Sequence, residues 1–209
     1  MAAHTQKIGT EYGAARVTSH GSGSRLLVLG HGAGGGVDAP DLAAVTAAIA
    51  GPDWTVALVE QPYRVAGRRS PPPAAWLDAA WITVLEALAH PRPAVLVTGG
   101  RSSGARVACR TAVATAANGV VALAFPLRPP GREADRTAEL VGAGVPTLVV
   151  QGSRDAFGGP ERLPSGAVVH AVAGADHAFR ARKSDGRSSA ECAAEVGQTV
   201  RAWLASTFG

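Results

Sequence analysis

Short, uninterrupted apolar runs recur along the chain at Leu26–Leu29, Thr55–Val59, Ala94–Val97, Val120–Phe125, Thr147–Gln151 and Val168–Ala171. Each is rich in Val, Leu and Ala and bounded by Gly or Pro, the pattern of a parallel strand buried on both faces. Arg16-Val17-Thr18 predicts an edge strand before them. Helical spacing fills the gaps. Leu42, Val45 and Ile49 share one face of a helix with Pro40 in its first turn and Asp38 as its expected cap. Leu77, Trp81, Val84 and Leu88 form the stripe of a second, and an alanine-rich helix follows Gly104. A short helix is predicted near Ala134–Val141, and the capping box Ser188-Ser189-Ala190-Glu191 opens a last one that runs through Trp203-Leu204. Alternating strand and helix imply one α/β domain over residues 1–209, with a mostly parallel sheet covered by helices on both faces.

Composition narrows the classes. No apolar stretch reaches the roughly 20 residues that span a bilayer, so no membrane partner is expected. The N-terminus lacks the apolar core of a signal peptide, which predicts a cytoplasmic protein. The net charge is +4, but lysine occurs only at Lys7 and Lys183, and the arginines are scattered among acids. No basic helix or aromatic-studded strand pair points to nucleic acid. Cys109 and Cys192 both fall in helices without metal-site spacing, as expected of core thiols.

The chemistry concentrates at Gly100-Arg101-Ser102-Ser103-Gly104, directly after the run Ala94–Val97. A strand that ends in G-x-S-x-G and turns at once into a helix is the sequence form of a nucleophile elbow. The sharp turn strains the serine and exposes its hydroxyl at the top of the sheet. The flanking residues must be glycine because a Cβ there would collide with neighbouring backbone.

A second glycine motif competes. Gly30-His31-Gly32-Ala33-Gly34-Gly35 matches the dinucleotide-binding pattern G-x-G-x-x-G, and Glu60 ends the next strand. In that fold, however, the helix starts within the glycines. Here Val37-Asp38-Ala39-Pro40 delays it. Glu60 also lies beyond the usual spacing of roughly 20 residues. Paired with the elbow, the loop has a different use: Ala33, with Gly34 as the alternative, offers one backbone N–H to an oxyanion, and Ser103 offers the other.

Elbow enzymes of this type follow the chain order serine, acid, histidine, each on a loop after a strand. Gly152-Ser153-Arg154-Asp155 follows one strand and Gly174-Ala175-Asp176-His177 follows the next. Asp155 and His177 therefore complete Ser102 in order and on the same sheet edge. Asp176 is a rival acid, but a sequence neighbour cannot easily reach the imidazole Nδ1. His31 is a rival base that more naturally braces its own loop. Such a triad calls for no metal or cofactor.

These residues carry a family resemblance across nearly the whole chain. The segments beginning at Gly30 and Gly99, together with Glu60-Gln61-Pro62-Tyr63-Arg64 and Gly174-Ala175-Asp176-His177-Ala178-Phe179, resemble a small lidless α/β-hydrolase family. It includes testis-expressed hydrolase-like proteins and the hydrolase-like domain of an NSL-complex subunit, and it is distantly similar to dienelactone hydrolases. The resemblance implies an α/β-hydrolase fold without a lid and the triad Ser102, Asp155 and His177, but no substrate; it is the serine triad itself that points to a small carboxylic ester or related acyl bond. Dienelactone hydrolases use a cysteine nucleophile, from which Ser102 departs. A catalytically silent interaction module on the same fold is the alternative.

Arginines crowd the loops at this edge: Arg64, Arg68, Arg69, Arg101, Arg128, Arg132, Arg154, Arg180 and Arg182, with Lys183. A ring of cations would attract an anionic substrate. On that reading His31, Tyr63, Arg64, Arg101 and Arg128 are candidate substrate-binding residues.

Overall fold

A computed structural model describes residues 3–131 and 133–209. Eight strands form one sheet: β1 (His4–Thr10), β2 (Gly13–His20), β3 (Arg25–Gly30), β4 (Trp54–Glu60), β5 (Leu96–Arg101), β6 (Gly119–Leu123), β7 (Thr147–Gly152) and β8 (Val168–Val172). Their order is β1-β2-β4-β3-β5-β6-β7-β8; β1 and β2 run antiparallel, and β3 to β8 are parallel. The helices are α1 (Pro40–Ile49), α2 (Pro62–Val65), α3 (Ala74–Leu88), α4 (Ser103–Thr111), α5 (Thr137–Val141) and α6 (Ser189–Phe208). Among the described residues no helix is long and apolar enough to cross a membrane.

The two-residue period of each strand splits its apolar residues between two cores. Leu27 and Leu29 of β3 face α1 and α6, against Leu42, Val45, Val196 and Trp203. Leu26 and Val28 of the same strand face α3, against Leu77, Trp81 and Val84. The alanines of α4 allow close packing on β6, where Ala105 and Ala108 meet Val120 and Ala122. Cys109 and Cys192 are buried and free, and burial pushes the Cys109 thiol up to about 12.

Four expectations are corrected. The strand at Arg16-Val17-Thr18, β2, is not an edge: it lies between β4 and β1, and β1 takes the edge without an apolar run to announce it, because HTQKIGT is exposed almost throughout. β8 is a sheet edge, with Val168 56% and Val169 39% exposed, rather than a strand buried on both faces. The strand before the elbow begins at Leu96 and continues through Gly99-Gly100-Arg101 into the turn itself. Asp38 does not cap α1: the N-cap position is Ala39, no side chain bonds the exposed amides, and Asp41 sits in the first turn.

Sheet order places the site. β3 lies between β4 and β5, so the chain leaves β3 toward one side and returns on the other. At such a switch point the loops at the C-terminal strand ends diverge and open a crevice. Gly30 ends β3 beside Gly100 of β5, and the glycine loop after β3 and the turn at Ser102 emerge side by side.

Candidate active site

Ser102 sits between the end of β5 and the first turn of α4 with φ 53° and ψ −107°. This is conformationally costly backbone for a residue with a Cβ. The turn is held from below by the Ser102 N–H, which donates to the Leu123 carbonyl at 2.9 Å. Its tightness explains the glycines. A Cβ on Gly100 or Gly104 would press into the Gly30 carbonyl.

Ser102 Oγ lies 3.0 Å from His177 Nε2. His177 Nδ1 lies 2.8 and 3.0 Å from the two carboxylate oxygens of Asp155, whose side chain is fully buried. Two donors orient that carboxylate: the Phe157 N–H bonds Oδ1 and Gln151 Nε2 bonds Oδ2, both at 2.8 Å. Asp155 thus braces its own turn as well as facing the imidazole. Phe157 stacks on the His177 ring with centroids 4.1 Å apart. Asp176 is occupied differently. Its Oδ1 accepts from the Ala178 and Arg180 N–H groups, closing the turn that presents His177. Burial opposes ionisation of Asp176, but these amides and the Arg180 guanidinium outweigh it and hold its pKa below the usual carboxylate value.

The loop after β3 comes against the elbow, and a Cβ on Gly32 would lie 3.7 Å from the Ser102 Cβ. Ala33, Gly34 and Ser103 all line the same cleft as Ser102 and His177. Ser103 is the first residue of α4, so its N–H belongs to a helix N-terminus that favours negative charge. Tyr63 donates to the Ala33 carbonyl at 2.7 Å, which fixes the peptide plane between Ala33 and Gly34. Burial raises the Tyr63 phenol to about 12, so it remains a donor.

His31 braces this loop. The Nδ1 of His31 donates to the Gly32 carbonyl at 2.8 Å, and its Nε2 accepts from the Gln61 N–H at 3.1 Å. Burial depresses its pKa and keeps it neutral. Glu60, the acid that a dinucleotide site would need, is ion-paired to Arg16 across β2 and β4 at 2.9 Å. The helix after the glycines starts only at Pro40.

The cleft has a volume of about 470 Å³ and is walled by residues 32–35, Pro71, Arg101, Arg106, Pro126, Arg136 and Phe157. Of the five candidate binding residues, Arg101 lines it. His31 and Tyr63 are buried behind the loop, Arg64 donates to the Arg68 carbonyl, and Arg128 pairs with Asp135. Other arginines of the expected ring are also engaged by acids: Arg101 by Asp41, Arg154 by Asp185 and Arg180 by Asp176. Arg68, Arg69 and Arg182 are exposed. Arg132 lies outside the described residues, as does the Lys183 side chain.

Three contributors escaped sequence reasoning: Gln151, Phe157 and Asp41. Gln151 left one signal, an amide ending an otherwise apolar buried strand.

A parallel sheet with a strained serine at a strand–helix elbow and a histidine within reach on the same edge defines an α/β-hydrolase. The family model described as an alpha/beta hydrolase domain matches residues 23–205, and the chain belongs to that family. No curated protein matches the sequence. Among solved structures, XC6422 from Xanthomonas campestris, described as an a/b serine hydrolase without lid, superposes with TM-score 0.73 at 17% identity, covering 97% of this chain and 95% of that one. An alpha-beta serine hydrolase homologue from Coxiella burnetii gives 0.74 at 16% identity over 96% and 98%. Dienelactone hydrolase from Anabaena variabilis gives 0.71 at 15% over 99% and 98%. At these identities the likeness concerns the fold.

Proposed function

We propose that this hydrolase cleaves a carboxylic ester or related acyl bond through Ser102, His177 and Asp155. The observation that carries the reading is the unbroken contact line from the strained Ser102 hydroxyl through both imidazole nitrogens to the buried Asp155 carboxylate. Ser102 Oγ attacks the carbonyl carbon as His177 Nε2 takes its proton. Asp155 holds Nδ1 protonated and stabilises the imidazolium. The tetrahedral oxyanion is met by the Ser103 N–H and by that of Ala33, or alternatively Gly34, each worth about 3–4 kcal/mol. His177 then returns the proton to the leaving oxygen, and water repeats the sequence on the acyl-enzyme.

Within the family, the glycine loop, the Glu60–Arg64 segment and the elbow support kinship with the testis-expressed and NSL-subunit hydrolase-like proteins. The serine nucleophile speaks for ester rather than dienelactone chemistry.

A panel of p-nitrophenyl esters of increasing acyl length, run with wild type and Ser102→Ala, tests the proposal. Turnover by wild type, with fluorophosphonate labelling that disappears in Ser102→Ala, is expected. Folded wild-type protein that neither turns over an ester nor takes the label would make the chain an interaction module on a hydrolase fold.

A further inference from the structure

Asp41 is a charged residue that the triad does not use. It is 1% exposed, in the first turn of α1. Its one ion-pair partner among the described residues is Arg101, whose Nε lies 3.1 Å from Oδ2. The same guanidinium donates through Nη2 to the backbone carbonyl of His177 at 3.1 Å. On its remaining side, Nη1 fits against Gly32, where a Cβ would come within 3.3 Å. One planar group thus touches the start of α1, the loop after β3 and the loop that carries His177, while its own backbone precedes Ser102.

Stability alone does not account for such a pair. A buried ion pair roughly breaks even against apolar packing, because desolvation offsets the attraction. Burial indeed pushes the Asp41 carboxyl up, against the pull of Arg101. Its geometry suggests a different use. The His177 imidazole is oriented by Asp155 and Phe157, but both act on the ring. Apart from the turn closed by Asp176, the contact tying the His177 backbone to the elbow comes from Arg101, the residue next to the nucleophile. An arginine can do this because its extended planar group sets Nε against the carboxylate as an ion pair while Nη2 hydrogen-bonds the carbonyl, a span that the single ammonium of a lysine does not reproduce.

We propose that Arg101 and Asp41 form a positioning pair that fixes the His177 backbone relative to Ser102, with Asp41 aiming the guanidinium. This rests on the serine-hydrolase reading above. Arg101 is then a positioning residue whose charge is already matched, not an anchor for an anionic substrate.

The test compares wild type, Arg101→Ala, Arg101→Lys and Asp41→Asn, with Arg16→Ala on the outer sheet as control. For each, kcat and KM are measured on a neutral and a carboxylate-bearing short ester, together with the fluorophosphonate labelling rate and the melting temperature. Arg101→Ala and Asp41→Asn are expected to lose about 10- to 100-fold in kcat and in labelling rate, as a displaced base does. KM should stay within about threefold for both esters. Arg101→Lys should remain folded, because it keeps a cation beside Asp41, and still lose the rate. Millimolar guanidinium added to Arg101→Ala should restore part of kcat, which a purely structural role would not allow. Folded Arg101→Lys and Asp41→Asn that label at the wild-type rate would overturn the pair while leaving the hydrolase reading intact. So would a loss confined to KM for the carboxylate-bearing ester. Wild type inert to ester and label would overturn both.

Discussion

The backbone at Ser102, the proposed nucleophile, is held in a costly conformation. Its φ of 53° costs a residue with a Cβ on the order of 1–3 kcal/mol, which glycine would largely avoid. Ser102→Gly should therefore abolish turnover and raise unfolding stability by about 1 kcal/mol in urea titration; an unchanged or lower midpoint would mean that the elbow stores no strain. Ser102→Ala should lower kcat by about 10³-fold or more without that gain. His31 sets an acid limit on the fold. Burial holds its pKa below the ordinary imidazole value of 6.5, so the unfolded chain binds the proton first. Stability is then fully present above pH 6.5 and is lost as pH falls, at up to about 1.4 kcal/mol per pH unit. Protonation would also turn Nε2 from the acceptor of the Gln61 N–H into a competing donor. Thermal melts from pH 8 down to about 5 should show this slope, and His31→Gln should flatten it.

Elements are held where they approach too closely for side chains. α4 lies against β3 through Gly104, where an added Cβ would meet the Gly30 carbonyl and the His31 carbonyl oxygen at 3.0 Å. Gly104→Ala should cost about 1–3 kcal/mol and lower kcat as well, since the strain is relieved by tilting the helix that presents Ser103. Wild-type stability in that variant would show that α4 has room to shift. The outer face of α4 is held by charge instead. Arg106 and Arg110 share Glu139 of α5, and Arg110 also bonds both oxygens of Asp78 of α3. Each pair is only partly buried, so the network orders the rim of the cleft more than it stabilises the fold.

For the whole molecule, the deciding feature is what lies over the site. Between β6 and β7 the described residues form only one helix, the five-residue α5, with no inserted lid domain among them. Short acyl chains should be preferred, with kcat/KM falling beyond the length that an open crevice can bury; strong activation by long chains at an oil–water interface would contradict this. Ionic strength tests the arginines. Arg101, Arg128, Arg154 and Arg180 each face a carboxylate, which weakens the field that these four project over the mouth. Neutral and carboxylate-bearing esters should then differ by less than about threefold in kcat/KM, with little change on adding salt. A large, salt-sensitive preference for the anion would restore the cationic mouth.

Most of the sheet and the core of the site were already legible along the chain. Buried parallel strands must be apolar, an elbow must be flanked by glycine, and Ser102, Asp155 and His177 each fall just after a strand, so one-dimensional spacing carries them. β1 was not legible, because an exposed hairpin strand has no burial to write into its sequence. Nor were the partners of the arginines. Arginines that look alike in loops become a strut, a rim or a surface pair according to which acid the fold brings within 4 Å. For Arg101 that acid is Asp41, from another element altogether. Gln151 and Phe157 likewise acquire their meaning only when β7 and the turn after it close around Asp155. Local pattern records whether a residue is buried, and hence the elements and their order. Pairing between distant polar groups depends on angstrom-scale distances that exist only once those elements have packed.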